Sequence, residues 1–184
     1  GPNQHCPPAP ITALNNSKST AINAINGLQP NGYTVIPAGL LWGWRVLSPG
    51  APFTEGEDYD EEERVKAIVL LTDGSNDVGA MSNGHNGSDY NAFGFAAKGH
   101  LGNTNGSNAR SELDKKTATI CNNIKAKGIL IYTIGFRVSS SSTQNLLKNC
   151  ATKPDMYYNS PTNGQLAMIF GDIAQGLSEL RIAQ

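Results

Sequence analysis

The chain has 184 residues, which suits a single domain of ordinary size with room for one sizeable core. It carries 14 Lys and Arg against 15 Asp and Glu, a net charge of −1, and 16% of its residues are charged. This balance argues against a nucleic-acid-binding protein, because such proteins carry a basic patch or stripe. No stretch approaches the roughly 18 apolar residues of a membrane-spanning helix, so we expect no membrane contact by this chain itself.

A Pro-rich leader, residues 1–16, opens the chain and is predicted to be extended, because each proline disfavours helix in the residue before it. A first helix is predicted to begin at Ser17 or Ser19 and to end at Gly27. A second helix is predicted from Ile36 to Leu47, since its apolar residues recur on one face.

The rest of the chain alternates between strand and helix patterns. The apolar run Val65–Leu71 is typical of a strand buried on both faces of a parallel sheet. Residues 74–108 are rich in Gly, Asn and Ser and predict a long surface loop. A helix capped by Asn108, a buried strand Ile129–Phe136, a helix at Thr143–Asn149 and a strand Met156–Tyr158 follow. The last helix carries Leu166, Ile169, Phe170, Ile173, Leu177 and Leu180 on its apolar face. This alternation indicates an α/β fold with a parallel sheet.

Two polar residues lie where such folds bind ligands. Asp73 directly follows the first buried strand, and ligands of open parallel sheets bind outside the carboxyl ends of the strands. An Asp-Gly pair is also a common turn, so Asp73 alone decides nothing. Thr34 stands in the turn before the second helix.

The three cysteines leave at least one without a partner in the chain. Cys121 and Cys150 flank one predicted strand, and both a disulfide and two buried thiols are compatible with that arrangement. Cys6 lies in the leader, and in an oxidising compartment it would find a partner outside this chain.

Gly32-Tyr33-Thr34 before a helix, followed by a strand and Thr72-Asp73-Gly74, resembles the later two elements of a von Willebrand factor A domain. The resemblance implies a Rossmann-type, doubly wound, mostly parallel sheet in three α/β/α layers, with a metal-ion-dependent adhesion site. It implies that Thr34 and Asp73 are metal ligands. Mg²⁺ or Mn²⁺ is the implied metal, because such ions bind a few protein oxygens and keep several waters.

A second resemblance covers most of the chain. Trp42-Gly43-Trp44-Arg45, the segments starting at Cys121 and Ile131, and Leu146–Ala151 are similar to the C-terminal part of bacterial TadG-like proteins of the tight-adherence (Flp) pilus-assembly system. This resemblance implies that residues 17–184 are the C-terminal portion of one von Willebrand A-like domain. It also implies a Cys121–Cys150 disulfide and a periplasmic or cell-surface location, with a membrane anchor in a segment outside this chain.

The chain departs from the family at the metal site. The family's Asp-x-Ser-x-Ser triplet is absent from the sequence, and Asp73-Gly74-Ser75, the nearest match, lacks the second Ser. The family places that triplet, and the strands of the other half of the sheet, before the position of Gly1. The resemblance therefore implies that an upstream segment of the same protein, or another chain, completes the sheet.

These features predict a non-enzymatic adhesion or assembly module of a bacterial surface pilus or secretion-related complex. The module would bind a protein partner, with a divalent metal near Thr34 and Asp73. One alternative is a metal-independent structural subunit of a surface filament, and another is a metal-dependent hydrolase that uses Asp73. The sequence contains no Gly-x-Ser-x-Gly elbow and no phosphate-binding Gly-x-x-x-x-Gly-Lys loop, so we expect no enzymatic activity.

Overall fold

The computed structural model describes residues 6–61, 64–82, 84–160 and 162–182, with the backbone alone for residues 180–182. The first five residues of the predicted leader and the side chain of Leu180 lie outside the described residues. The described chain divides into two compact units. The first unit comprises Gly1–Gly56 and Asn76–Lys116, and the second comprises Glu57–Ser75 and Thr117–Gln184.

The five helices and the three longer strands that the structure describes follow the order predicted from the sequence, with small differences in their bounds, whereas two short strands within residues 90–95 were not predicted. The helices are α1 Lys18–Asn26, α2 Ile36–Leu47, α3 Gly106–Ala126, α4 Ser141–Cys150 and α5 Asn163–Ile182. The strands are β1 Ala67–Thr72, β2 Tyr90–Asn91, β3 Gly94–Phe95, β4 Leu130–Phe136 and β5 Tyr157–Ser160. Short 3-10 turns cover Ala96–Lys98 and Pro154–Met156.

The second unit contains a three-stranded parallel sheet in the order β1-β4-β5. In the register, Thr72 lies beside Gly135, and Gly135 in turn lies beside Asn159. The carboxyl ends of all three strands therefore share one edge of the sheet. The predicted mixed α/β fold with a parallel sheet is confirmed.

Helices cover both faces of β4, which is why this strand is buried from Ile131 to Gly135. On one face Thr133 donates its hydroxyl to the carbonyl of Leu147 in α4, at 2.9 Å. On the other face Ile134 packs in a core cluster with Ile173 of α5. The other buried members of that cluster are Tyr132, Ala151, Met156 and Ile169. The order around β4 is thus helix, sheet, helix.

The prediction of burial on both faces is wrong for β1. Val69 and Leu71 are 37% and 42% exposed, while Thr72 is buried. β1 is the terminal strand of the described sheet. Val69 and Leu71 lie on the same face of it, because successive side chains of a strand alternate, and Ile68, Leu70 and Thr72 on the other face are less exposed. An apolar run predicts a strand, but it does not tell whether both faces of that strand are covered. Phe170, predicted on the apolar face of α5, is 46% exposed as well.

The Cys121–Cys150 disulfide is present in the second unit and joins α3 to the end of α4. Both cysteines are almost fully buried. Cys6 is exposed, and its carbonyl accepts a hydrogen bond from the Asn31 side chain at 2.9 Å. Among the described helices, none combines the length and the apolar character needed to cross a bilayer.

The first unit is built on α1, α2 and the first part of α3. Ser17 caps α1 by accepting a hydrogen bond from the Thr20 amide, and Gly27 ends the helix, as predicted. Residues 74–108 differ from the expected loop, because they contain β2, β3 and a 3-10 turn. They also supply core residues, since Val78, Ala96 and Leu101 cluster with Ala109 and Leu113 of α3.

Candidate functional site

Asp73 lies directly beyond the last residue of β1, at the carboxyl edge of the sheet in the second unit. Its side chain is exposed and takes part in no hydrogen bond or ion pair within the described residues. The turn that carries it is fixed by Thr72, whose hydroxyl donates to the carbonyl of Gly74 at 2.9 Å and accepts from its amide at 3.3 Å. A local hydroxyl thus holds the turn while the carboxylate points to solvent.

Ser75, which matches the first Ser of the Asp-x-Ser-x-Ser triplet, forms a hydrogen bond with α4. Its hydroxyl lies 2.6 Å from that of Thr143 in the first turn of this helix. Thr143 in turn donates its amide to the hydroxyl of Ser140, the N-cap of α4. The structure therefore uses Ser75 to tie the segment after β1 to α4.

Thr34 belongs to the loop that leads into α2 in the first unit, and it is partly exposed. Its carbonyl accepts a hydrogen bond from the amide of Asp77 at 2.8 Å. Two residues further on, the amide of Ile36 donates to the side-chain oxygen of Asn76 at 2.9 Å. The loop is therefore held on both sides of Val35, while the hydroxyl of Thr34 makes no hydrogen bond within the described chain.

Tyr33, next to Thr34, is anchored by Asp89. Its hydroxyl donates to the Asp89 carboxylate, which also accepts the amide of Ala80 at 3.1 Å. The hydrogen bond to Asp89 raises the pKa of Tyr33 above its usual value, and burial raises it further. Gly79, at φ +81°, lies against the same ring, and a Cβ there would come within 2.6 Å of a Tyr33 ring carbon.

The sequence reasoning missed Asn76, Asp77 and Asp89, which fix the backbone around Thr34. Asn76 and Asp89 are 4% and 7% exposed. The position of Asn76 and Asp77 could have indicated their role, because they follow the end of a parallel strand by only a few residues and functional residues of such folds lie there. Asp89 carried no such signal, since it stands within the aperiodic segment.

The predicted metal ligands belong to different units, Thr34 to the first and Asp73 to the second. That they share one site stays a prediction. A hydroxyl and a carboxylate are hard oxygen donors, and their chemistry fits Mg²⁺ or Mn²⁺. The number of donors is small, because no group of three or more His, Cys, Asp or Glu side chains suited to a metal occurs in the described residues. Water or a partner would have to fill the remaining coordination positions.

No protein-family model matches the chain, and no curated protein matches it. Among solved structures the chain is similar to proximal thread matrix protein 1 from the mussel byssus, with 20% identity and a TM-score of 0.48. A further structure of that mussel protein, described as having a zinc-occupied MIDAS motif, gives 21% identity and a TM-score of 0.49. Each match covers 85% of this chain but only 28% of the mussel chain.

Proposed function

We propose that this chain is the C-terminal part of a von Willebrand A-like adhesion or assembly module that binds a protein partner outside the cytoplasm. The observation that carries the proposal is the exposed Asp73 carboxylate at the carboxyl edge of a parallel sheet. Ligands of open α/β sheets bind at that edge. A bacterial surface pilus, as the TadG-like resemblance implies, is the assembly in which we place the module.

The disulfide supports the location. Disulfides form and persist in oxidising compartments and are rare in the cytosol. Cys121 and Cys150 are joined in the second unit, where the bond connects α3 to the end of α4. A periplasmic or cell-surface position, with the anchor in a segment outside this chain, agrees with this chemistry.

The edge strand β1 supports a protein partner. Its sequence, Ala-Ile-Val-Leu-Leu-Thr, contains no charge, proline or glycine, the devices that usually protect a sheet edge from pairing. Val69 and Leu71 add exposed apolar side chains to this edge strand. We place a further strand beside β1, supplied by a preceding segment of the same protein or by another chain.

In this proposal Thr34 and Asp73 are the side chains that would hold a divalent metal, and an acidic side chain of the partner would be a further ligand. When bound, the metal supplies a positive centre that accepts a carboxylate oxygen from outside the chain. Asp73 contributes the charge that attracts the ion, and Thr34 contributes a neutral hydroxyl. With two side-chain donors from this chain, we expect weak binding of the ion alone.

The test is a calorimetric titration with Mn²⁺ of the wild type, Asp73→Asn and Thr34→Val. Loss of a charged ligand should weaken binding by about tenfold or more, and loss of the neutral hydroxyl should weaken it less. Asp155→Asn is the matched control, since it removes another exposed carboxylate of the second unit and should leave the affinity unchanged.

Circular dichroism of each variant establishes that the chain is folded. Binding that survives Asp73→Asn would overturn the assignment of Asp73. A folded wild type that binds no Mn²⁺ would overturn the metal-dependent mechanism and favour the metal-independent structural subunit instead.

A further inference from the structure

Helix α2 lacks a cap from its own sequence. The N-cap residue is Val35, whose side chain forms no capping hydrogen bond. The first amides of a helix have no partner within the helix and need one from elsewhere. For Ile36 that partner is the side-chain oxygen of Asn76, which lies 40 residues away in sequence. Asn76 therefore serves as a cap borrowed from another segment.

Asn76 and Asp77 are both hydrogen-bonded to side chains of α3. The Asn76 side-chain amide donates to the carboxylate of Asp114 at 2.8 Å. One oxygen of Asp77 accepts two hydrogen bonds from Arg110, at 3.0 and 3.1 Å, and one from the amide of Gly79 at 3.1 Å. Arg110 and Asp114 are four residues apart and thus lie on the same face of α3. The contacts form a chain from α3 through residues 76 and 77 to the Thr34 loop.

The chemistry of the two partners requires an amide at position 76. Ile36 presents an N–H, so it needs an acceptor, while the Asp114 carboxylate needs a donor. The Asn76 side chain supplies both, with its carbonyl oxygen toward Ile36 and its NH₂ group toward Asp114, and the two partners fix which end faces which. Because Asn76 is 4% exposed, water is a poor substitute for either bond.

We infer that Asn76 is a positioning residue for Thr34, which it holds in the geometry needed for ligand binding through the hydrogen bond to Ile36. Asp77 assists by bonding the carbonyl of Thr34. The inference rests on the proposed function and adds to it. The segment that follows Asp73 by three residues secures the loop that carries the other candidate ligand.

The decisive experiment exchanges the two side chains of the Asn76–Asp114 pair. Asn76→Asp places two carboxylates face to face and should break the contact. Asp114→Asn keeps an acceptor for the Asn76 amide and should behave as the wild type. The double variant Asn76→Asp with Asp114→Asn recreates the pair in reverse, because the new amide at 114 donates to the new carboxylate at 76, which still accepts from Ile36.

Two readouts are needed for each variant. Hydrogen exchange of the Ile36 amide, followed by NMR, reports the borrowed cap directly. Mn²⁺ affinity, from calorimetry, reports its effect on the candidate site. We expect Asn76→Asp to accelerate Ile36 exchange and to weaken Mn²⁺ binding, each by about tenfold, and the double variant to restore both.

The outcomes separate this inference from the proposed function. Unchanged Ile36 exchange in Asn76→Leu, which removes the acceptor, would overturn the borrowed cap. Unchanged exchange in Asn76→Asp, or no recovery in the double variant, would overturn the support of that cap by Asp114. The expected exchange pattern with equal Mn²⁺ affinity in all variants would overturn the positioning role alone. A folded wild type that binds no Mn²⁺ would overturn the metal-dependent mechanism of the proposed function and, with it, the positioning role, while Ile36 exchange still decides the cap.

Discussion

The sheet of the second unit and residues 76–105 of the first unit differ in how their backbone amides and carbonyls are hydrogen-bonded. In the sheet, backbone groups of β4 pair with β1 and β5, and the side chains are free to form an apolar core. In residues 76–105 most of the backbone lacks a strand or helix partner. Backbone groups of turns bind part of it, and buried polar side chains bind another part, as Asn91 does for the amide of Phe93 and Ser88 for that of Ala97.

The difference shows what aperiodic sequence can encode. A buried amide or carbonyl must find a partner, and where repeating structure supplies none, Asn, Asp and Ser side chains can. Polar side chains are therefore buried in this segment, whereas the buried side chains of the sheet are mostly apolar. The segment is consequently ordered around a small apolar cluster, Val78, Ala96 and Leu101 among it, although its composition resembles that of a loop.

The largest expected effect concerns the covalent link, which only the second unit contains. Replacing Cys121 and Cys150 together by Ala removes a crosslink between residues 29 apart, and chain-entropy estimates give a loss of about 3.5 kcal/mol in the free energy of unfolding. Urea denaturation measures the loss. Cys6→Ala, at an exposed position, should change the value by less than about 0.5 kcal/mol.

Hydrogen exchange shows which of the two regions loses protection first when the disulfide is removed. We expect the disulfide variant to lose protection in β4, which packs against the crosslinked helix α4, before it loses protection at the amide of Phe93. Equal losses at both places would show that the two regions open together, and an unchanged free energy of unfolding would contradict the stabilising role of the disulfide.

A smaller effect concerns tyrosines, whose pKa values are raised for different reasons in the two regions. The hydrogen bond to Asp89 is the main cause for Tyr33, whereas burial is the main cause for Tyr132. A raised pKa means that the folded state favours the neutral phenol. The resulting stability is fully present below about pH 10 and is lost as the pH rises through the folded-state pKa.

Carbon-13 NMR of labelled tyrosine measures each titration. Asp89→Asn should lower the pKa of Tyr33, because a neutral amide no longer opposes the phenolate, and it should leave Tyr132 unchanged. Asp155→Asn, the control, should move Tyr132 only slightly, because the charge of Asp155 contributes less than burial. A pKa of Tyr33 that does not respond to Asp89→Asn would contradict the assigned cause.

The smallest effect on stability is expected at the edge strand. Val69→Lys changes a partly exposed side chain of β1 and should alter the free energy of unfolding by less than about 1 kcal/mol. It should nevertheless reduce self-association, measured by sedimentation velocity, because a charge on an edge strand opposes further strand pairing. Ile25→Lys, at a 64% exposed position of α1, is the control and should have little effect. Equal association of all three proteins would contradict the pairing role of β1.

The sequence predicted those parts of the fold that depend on local patterns. Helix α2 lies where apolar periodicity predicted it, and strand β4 lies within one residue of the apolar run that predicted it. Ser17 caps α1 because its side chain reaches an amide three residues away. The exposure of Val69 was not predictable in this way, since it depends on what covers that face of β1. Strands β2 and β3, with two residues each, are too short to show a period.

The candidate site likewise contains residues that local patterns predicted and one residue that they did not. Thr34 and Asp73 were predicted as site residues because of their positions next to predicted elements and their resemblance to a family pattern, and their role stays a prediction. Asn76 was missed, since its two partners, Ile36 and Asp114, lie 40 and 38 residues away and no local rule connects them. Long-range polar contacts of single side chains leave no periodic trace in a sequence.

The borrowed cap of α2 also has a consequence for the order of folding. A helix capped by its own sequence can gain that contact as soon as its first turn forms. The amide of Ile36 instead bonds to Asn76, which lies 40 positions later in the chain. The loop between these two residues must therefore close before the contact can form. We therefore expect the beginning of α2 to consolidate after the folding transition state, with a φ-value near zero for Asn76, while the body of the helix forms earlier. The loop that carries Thr34 is then among the last parts of the first unit to acquire its native shape.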